Sequence, residues 1–249
     1  MVVYSFCGER LSEHSYLTLR LYMTAFGEWH ERVTAKKLGL EDPRELSCAL
    51  RTACLLHDVG KALKEFQERV RQDKKAGFPF HEIVSSYFTF KTLVFYIEHK
   101  SIAAAAALAV LQHHQAMRSI EETLIDGLKR LPLDEGMEES VIEEIKMAAS
   151  MSEGMTPIIK NFEEVFEYEP KHIKEELSKF IGKLKSWLKT PAPGDEDMLW
   201  NYLKHIQPMF NAPLQLSDNL AAFLVRGGSF RMLHAETIKL LKFRELKSC

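Results

Sequence analysis

The most constraining feature of this chain is the spacing of its apolar residues. They recur every three or four positions through segments around 12–38, 44–71, 80–97, 99–117, 120–131, 138–151, 156–166, 170–189, 195–206, 214–225 and 230–247. That is the period of helices that bury one face. Between the segments stand breakers: Pro43, Gly77-Phe78-Pro79, Pro132, Gly136, Gly154, Pro170, the run TPAPGDED at 190–197, Pro208, Pro213 and Gly227-Gly228. Strand character is confined to VVYSF near the start. The spacing predicts an all-α fold. There is no internal repeat and no low-complexity segment, so the 249 residues are expected to form a single domain over 1–249, with TPAPGDED as an exposed loop. A core of about 10–225 would be followed by a basic helical tail, 226–249.

A chain of this length with 46% hydrophobic residues can bury a core without disulfide staples. Its longest apolar stretch, Ser101 to Leu111, ends at Gln112, His113 and His114, short of the roughly 18–20 residues a membrane span needs. The start, MVVYSFCGERLSEHS, lacks the basic and apolar regions of a secretory signal, so a cytoplasmic protein is expected. Its four cysteines (Cys7, Cys48, Cys54, Cys249) form no C-x-x-C pair and read as reduced thiols, with Cys48 and Cys54 in the core. The net charge of -2 argues against a protein that coats nucleic acid, yet leaves room for a nuclease with a local positive track. Acids dominate from Glu121 to Glu176. Bases dominate the tail, with Arg226, Arg231, Lys239, Lys242, Arg244 and Lys247 against Glu236 and Glu245. The tail is therefore the better candidate surface for a polyanion, although most such charges serve as solvated helix faces. Gly60-Lys61 has no upstream glycine and is followed by Ala62, so it is no phosphate loop, and an ATP-driven motor is not expected.

Chemistry concentrates in the stretch ACLLHDVGKALKEFQERV, residues 53–70. An apolar run ends there in adjacent His57 and Asp58, read as helix neighbours about 100° apart that share one edge. An acid at a helix C-terminus is disfavoured by the helix dipole unless a cation compensates. His113 and His114 repeat the arrangement at the end of another helix, and Asp218 opens a late apolar one. Imidazole and carboxylate together suit borderline divalent metals. His14, His57, Asp58, His81, His113, His114 and Asp218 are the right number for two ions with a bridging carboxylate, the pairing used for in-line phosphoryl displacement. His30, His99, His172, His205 and His234 read as ordinary helix side chains.

HDVGK resembles the signature of the HD metal-dependent phosphohydrolase superfamily. The longer HDVGKALKEFQERV, with Phe66-Gln67, is similar to the HD nuclease of type I CRISPR interference, as is the order His14, His57-Asp58-x-Gly60-Lys61, His81, His113-His114, Asp218. One departure is that the family often has an aromatic and then a serine after the late aspartate, where this chain has Asn219 and Leu220. The resemblance implies an HD-type helical bundle with a two-metal site. One ion would be held by His14, His57, Asp58 and Asp218, the other by Asp58, His81, His113 and His114, with Asp58 bridging. Lys61 would be the catalytic and substrate-binding cation on the scissile phosphate. The implied activity is metal-dependent cleavage of single-stranded DNA, with RNA a second candidate, by endonucleolytic nicking and 3′-to-5′ trimming in antiviral defence. Since the chain carries no helicase, a separate helicase subunit and an RNA-guided surveillance complex are the implied partners. The histidine-rich set favours Mn2+, Fe2+, Co2+ or Ni2+ over Mg2+. Two other readings compete: an HD phosphohydrolase of nucleotides or cyclic nucleotides, and a catalytically inert scaffold subunit.

Overall fold

The computed structural model describes the backbone of residues 2–72, 77–114, 120–152, 154–168, 173–189 and 196–226, with side chains except at 120–122, 186–189 and 196–206. The chain opens with a small antiparallel hairpin, β1 (Tyr4–Phe6) and β2 (Glu9–Arg10), turned at Gly8 with φ +78°. Helices follow: α1 (Leu11–Ala25), α2 (Gly27–Lys37), α3 (Arg44–Leu56), α4 (Lys64–Gln72), α5 (His81–Val94) and α6 (Lys100–Gln112). Beyond them come α7 (Ile120–Arg130), α8 (Val141–Ser150), α9 (Thr156–Tyr168), α10 (Ile173–Lys189) and α11 (Glu196–Arg226). The all-α expectation is met, and the strand expected near the N-terminus is β1.

The alanine run explains itself in α6. Every residue from Ile102 to Leu111 is buried, so α6 is apolar all round, as a helix at the centre of a bundle must be. Methyl side chains let α5, α3 and α11 approach it closely, and Ser86 Oγ donates to Ala107 O at 2.7 Å. α1 packs in turn on α11, α3 and α8. The aromatic core lies on the far side of α5, where Tyr87 and Phe88 meet Phe162, Phe166 and Phe180 from α9 and α10.

Three segment boundaries differ from the periodicity. The 12–38 segment divides at Gly27, whose φ of +44° turns the chain between α1 and α2. The 44–71 segment breaks at the histidine–aspartate pair. α3 ends at Leu56, His57 caps it, and Asp58 (φ −109°, ψ 4°) leads into a 3-10 turn, Val59–Ala62. His57 and Asp58 are therefore not successive residues of one helix. Conversely, Pro208 and Pro213 lie inside α11 rather than ending it. Each removes a helix hydrogen bond, but burial of Phe210, Leu214, Leu220 and Ala221 against the bundle outweighs the loss. Cys54 is core, as expected, whereas Cys48 is only partly buried. The TPAPGDED stretch through Asp195 and the tail beyond Arg226 lie outside the described residues.

Ser12 does not cap α1. It lies within the helix with its hydroxyl unpartnered, and its N–H donates to Glu144 of α8 at 3.2 Å. Arg10 joins the same carboxylate at 2.8 Å, so a buried acid from another helix anchors the start of α1.

Candidate metal centre

The turn after α3 is shaped by contact with α5. A Cβ on Gly60 would stand 2.2 Å from His81 O and 2.9 Å from Val84 Cβ, a separation that only glycine tolerates. Gly60 N donates to Ser85 Oγ at 2.8 Å, fixing the turn against the first turns of α5. From the other side Gln67, fully buried, donates to Lys61 O at 2.7 Å and Tyr4 O at 2.9 Å, and accepts from Tyr4 N at 2.8 Å. Gln67 thus pins β1 and the turn together, which accounts physically for Phe66-Gln67 in the motif; Phe66 fills the core beneath.

These restraints place Asp58 between two groups of imidazoles. Its Oδ1 lies 2.9 Å from His81 Nε2 and 3.7 Å from His113 Nε2. Its Oδ2 lies 3.4 Å from His14 Nε2 and 3.6 Å from His57 Nε2. Asp218 of α11 meets the second group, with Oδ1 at 2.9 Å from His14 Nε2 and 3.5 Å from His57 Nε2. The His114 ring stands beside His81 and His113, with centroids 5.1 and 3.9 Å away. Two sets of candidate metal ligands result, Asp58-His81-His113-His114 and His14-His57-Asp58, each with its ligand atoms within 4.8 Å of one another. All seven residues named from the sequence stand in this one cluster. Lys61 Nζ reaches Asp58 Oδ2 at 2.5 Å and sits 5.4 Å over the Phe78 ring.

The orientation of the rings speaks for a cation. His57, His81 and His113 direct Nδ1 at the carbonyls of Cys54, Phe78 and Val110, each three residues back. His14 directs Nδ1 at Glu9 Oε1, 2.8 Å away. All four acceptors are oxygen, so Nδ1 donates to them, and each ring in its neutral form would turn the Nε2 lone pair inward. Carboxylate oxygens face those lone pairs, an arrangement that is repulsive unless a proton or metal cation stands between them. The Nε2 atoms of His57 and His113 are buried without a hydrogen-bond partner. Buried polar atoms left unpaired are costly and mark a site built for something else. The donor set fits divalent metal.

Burial works to raise the carboxyl of Asp58, but Lys61 and the imidazoles of His57, His113 and His81 hold it well below the usual carboxylate range. Asp218 is likewise held well below that range despite burial, through His14 and His57. Burial works to lower His14, yet hydrogen bonds to Asp218 and Glu9 prevail and raise it to about 9. His114 is pushed down by burial and by the neighbouring His113 and His81.

A family model for the HD domain matches residues 12–149, more than half of the chain. The chain belongs to the HD domain family. The matched span holds six of the seven clustered residues, the pair His57-Asp58 with His14, His81, His113 and His114, while Asp218 lies beyond it. HD domains bind divalent metals, and this one carries a His/Asp cluster able to hold such an ion. Among curated proteins it is similar to the CRISPR-associated endonuclease Cas3-HD of Pyrococcus furiosus, 25% identical over 198 residues, 78% of this chain and 74% of that protein. The protein of the same name from Methanocaldococcus jannaschii is 34% identical over 107 residues, 42% of this chain and 41% of that one. Among solved structures, the CRISPR-associated Cas3 HD domain protein of Methanocaldococcus jannaschii shares the fold. Its TM-score is 0.59 at 21% identity, covering 86% of this chain and 99% of that one.

Outside the cluster, His30 is buried against Tyr22 and Phe26, and His99 binds Glu45 on the surface. His172, His234 and the side chain of His205 lie outside the described residues. Two residues of the HD domain's site had no sequence signal of function: Glu9, which holds His14, and Phe78, which flanks Lys61 and gives its carbonyl to His81. Glu9 sits in a hairpin, where helical spacing says nothing about side-chain direction. Among the described residues no helix is long and apolar enough to cross a membrane.

Proposed function

We propose that this protein is a metal-dependent nuclease that hydrolyses phosphodiester bonds of single-stranded DNA, with RNA a second substrate. The observation that carries this reading is the division of one carboxylate: Asp58 turns one oxygen to His81 and His113 and the other to His14 and His57. Such a carboxylate suits two ions sharing it, the first with His14, His57 and Asp218, the second with His81, His113 and His114. The chemistry supplied by divalent ions held there is Lewis acidity toward phosphate oxygens and acidification of water. Mn2+, Fe2+, Co2+ and Ni2+ match five imidazoles better than Mg2+ does.

The chain's own groups complete the work. A water oxygen bonds to phosphorus as the bond from phosphorus to the leaving oxygen breaks. Lys61, tethered to Asp58 and seated over Phe78, presents an ammonium that stabilises charge developing on the phosphate. His114 is the most exposed member of the cluster, so substrate approaches from its side. The likeness to Cas3-HD endonucleases supports a role in CRISPR interference, with a separate helicase and an RNA-guided complex delivering the strand. Endonucleolytic nicking and 3′-to-5′ trimming are the activities expected.

The test is cleavage of linear and circular single-stranded DNA with Mn2+, wild type against Asp58→Ala, beside a mononucleotide-hydrolysis control. Cutting of both DNAs by wild type alone supports the nuclease, since a circle has no end to trim. Intact DNA with hydrolysed mononucleotides would replace it by the nucleotide phosphohydrolase. Inactivity on every substrate with metal bound would replace it by the scaffold.

A further inference from the structure

Three of the inward-facing histidines stand at helix ends, where the carbonyl three residues back is within reach of Nδ1–H. His57 caps α3, His81 begins α5 and His113 caps α6. His14 has no such option. It is the fourth residue of α1, and the carbonyls behind it belong to the helix ladder. Its Nδ1 is met instead by a carboxylate from β2, Glu9 Oε1 at 2.8 Å, and Glu9 is only 2% exposed.

A buried acid in that place must itself be held. Arg226, the last residue of α11, binds the other oxygen, Oε2, through Nε at 2.7 Å and Nη2 at 2.6 Å. Its guanidinium lies 4.4 Å over the ring of Phe6 on β1. Both arginine nitrogens take the same oxygen, which leaves Oε1 wholly to His14. The turn at Gly8 puts Phe6 and Glu9 on either side of the hairpin, so a single arginine is gripped by both strands. Arg226 and Asp218 also share α11, and Asp218 meets His14 from the opposite ring nitrogen.

We infer that Glu9, fixed by Arg226, is the positioning residue for His14 and makes the two halves of the cluster unequal. Of these four, only His14 has its Nδ1 hydrogen-bonded to a carboxylate; His57, His81 and His113 bond to neutral carbonyls, and Glu82 Oε2 stands 3.5 Å from His81 Nδ1, farther than the Phe78 carbonyl that takes the bond. A carboxylate behind an imidazole fixes its tautomer and orientation and strengthens it as a donor to metal. The ion held by His14, His57, Asp58 and Asp218 is therefore bound more tightly than the ion held by Asp58, His81, His113 and His114. Arg226 serves as a clamp on the site rather than as part of a polyanion-binding surface. This inference rests on the two-ion reading above.

Calorimetric titration of the full chain with Mn2+ tests it, comparing wild type, Glu9→Gln, Glu9→Ala and Arg226→Gln. Wild type is expected to show two unequal binding events. Glu9→Gln should weaken the tighter event by about 10-fold and Glu9→Ala by up to about 100-fold, with the weaker event unchanged. Arg226→Gln, altered at the end of α11, should weaken the same event without loss of helical circular dichroism, and so serves if the Glu9 variants do not fold. Wild-type titrations with unchanged tighter affinity in folded Glu9→Gln or Arg226→Gln would overturn this inference alone. A wild type that binds no Mn2+ would overturn the two-ion reading and this inference with it.

Discussion

Gly60→Ala is a one-carbon change with a consequence that can be worked from the structure. The new methyl would lie 2.2 Å from the carbonyl oxygen of His81, where ordinary contact begins at about 3.4 Å, and 2.9 Å from Val84 Cβ. The obstacle on one side is backbone and on the other a fully buried valine, so neither can swing aside. The turn and the start of α5 must separate by about 1 Å. Overpacking of this kind costs about 1–3 kcal/mol, which in a protein of this size lowers Tm by roughly 2–12 °C. The same displacement opens the 2.9 Å contact between Asp58 Oδ1 and His81 Nε2, and a misplacement of about 1 Å at a reacting centre can cost about 100-fold in rate. Differential scanning calorimetry gives the first number, and DNA cleavage at saturating Mn2+ the second. Gly182→Ala is the matched control: nothing lies within 4 Å of its added methyl, in the middle of α10, so a gain of about 0.5–1 kcal/mol is expected. A Gly60→Ala protein with wild-type Tm and wild-type cleavage would refute the close-approach account of the motif's glycine.

Lys61→Met keeps the buried stem and removes the ammonium that binds Asp58 Oδ2; cleavage should fall by about 100–1000-fold, while Mn2+ affinity, read by calorimetry, should hold or rise because a competing cation has left. Adding Mn2+ at 100 times its dissociation constant should stabilise the fold by about 2.7 kcal/mol per ion and a chelator should reverse it; denaturation midpoints that ignore both would refute metal binding by the folded state. Burial works to raise the carboxyl of Glu144, but Arg10 and Ser12 outweigh it and its pKa is lowered. A depressed acid contributes stability that is fully present above its ordinary value of 4.5 and is lost as pH falls through the lower folded value. The Tm gap between wild type and Glu144→Gln should accordingly stay constant above about pH 5 and narrow below it, as melts across that range would show.

How much of this was written in the sequence varies residue by residue. The helices follow from apolar spacing because each buries one face, and α6 is legible from its alanines because only a central helix can be apolar all round. The break at His57-Asp58 is not legible from spacing, since Leu55, Leu56, Val59, Ala62, Leu63 and Phe66 are all buried and the apolar pattern runs straight through the turn. Pro208 and Pro213 mislead in the other direction, because local propensity is overruled by packing on α6 and α1. In the cluster, the pairs His57-Asp58 and His113-His114 announce themselves as polar residues closing apolar runs. Asp218 is separated from its partner His14 by most of the chain, and no spacing rule connects them. Glu9 is harder still. An acid in a short hairpin reads as solvent-facing, and its burial depends on an arginine at the far end of α11.

That closure of the chain on itself sets an order on biosynthesis. Synthesis runs from the N-terminus, and parts of a protein can fold before the remainder has been made. Asp58, His81, His113 and His114 all exist once residue 114 has been added, but Asp218 and Arg226 come only after nearly twice that length. A nascent chain on the ribosome thus carries one half of the cluster long before the other, with His14 lacking Asp218 and Glu9 lacking its arginine. Hydrolysis that needs both halves, as proposed above, is then withheld until the end of α11 has been made.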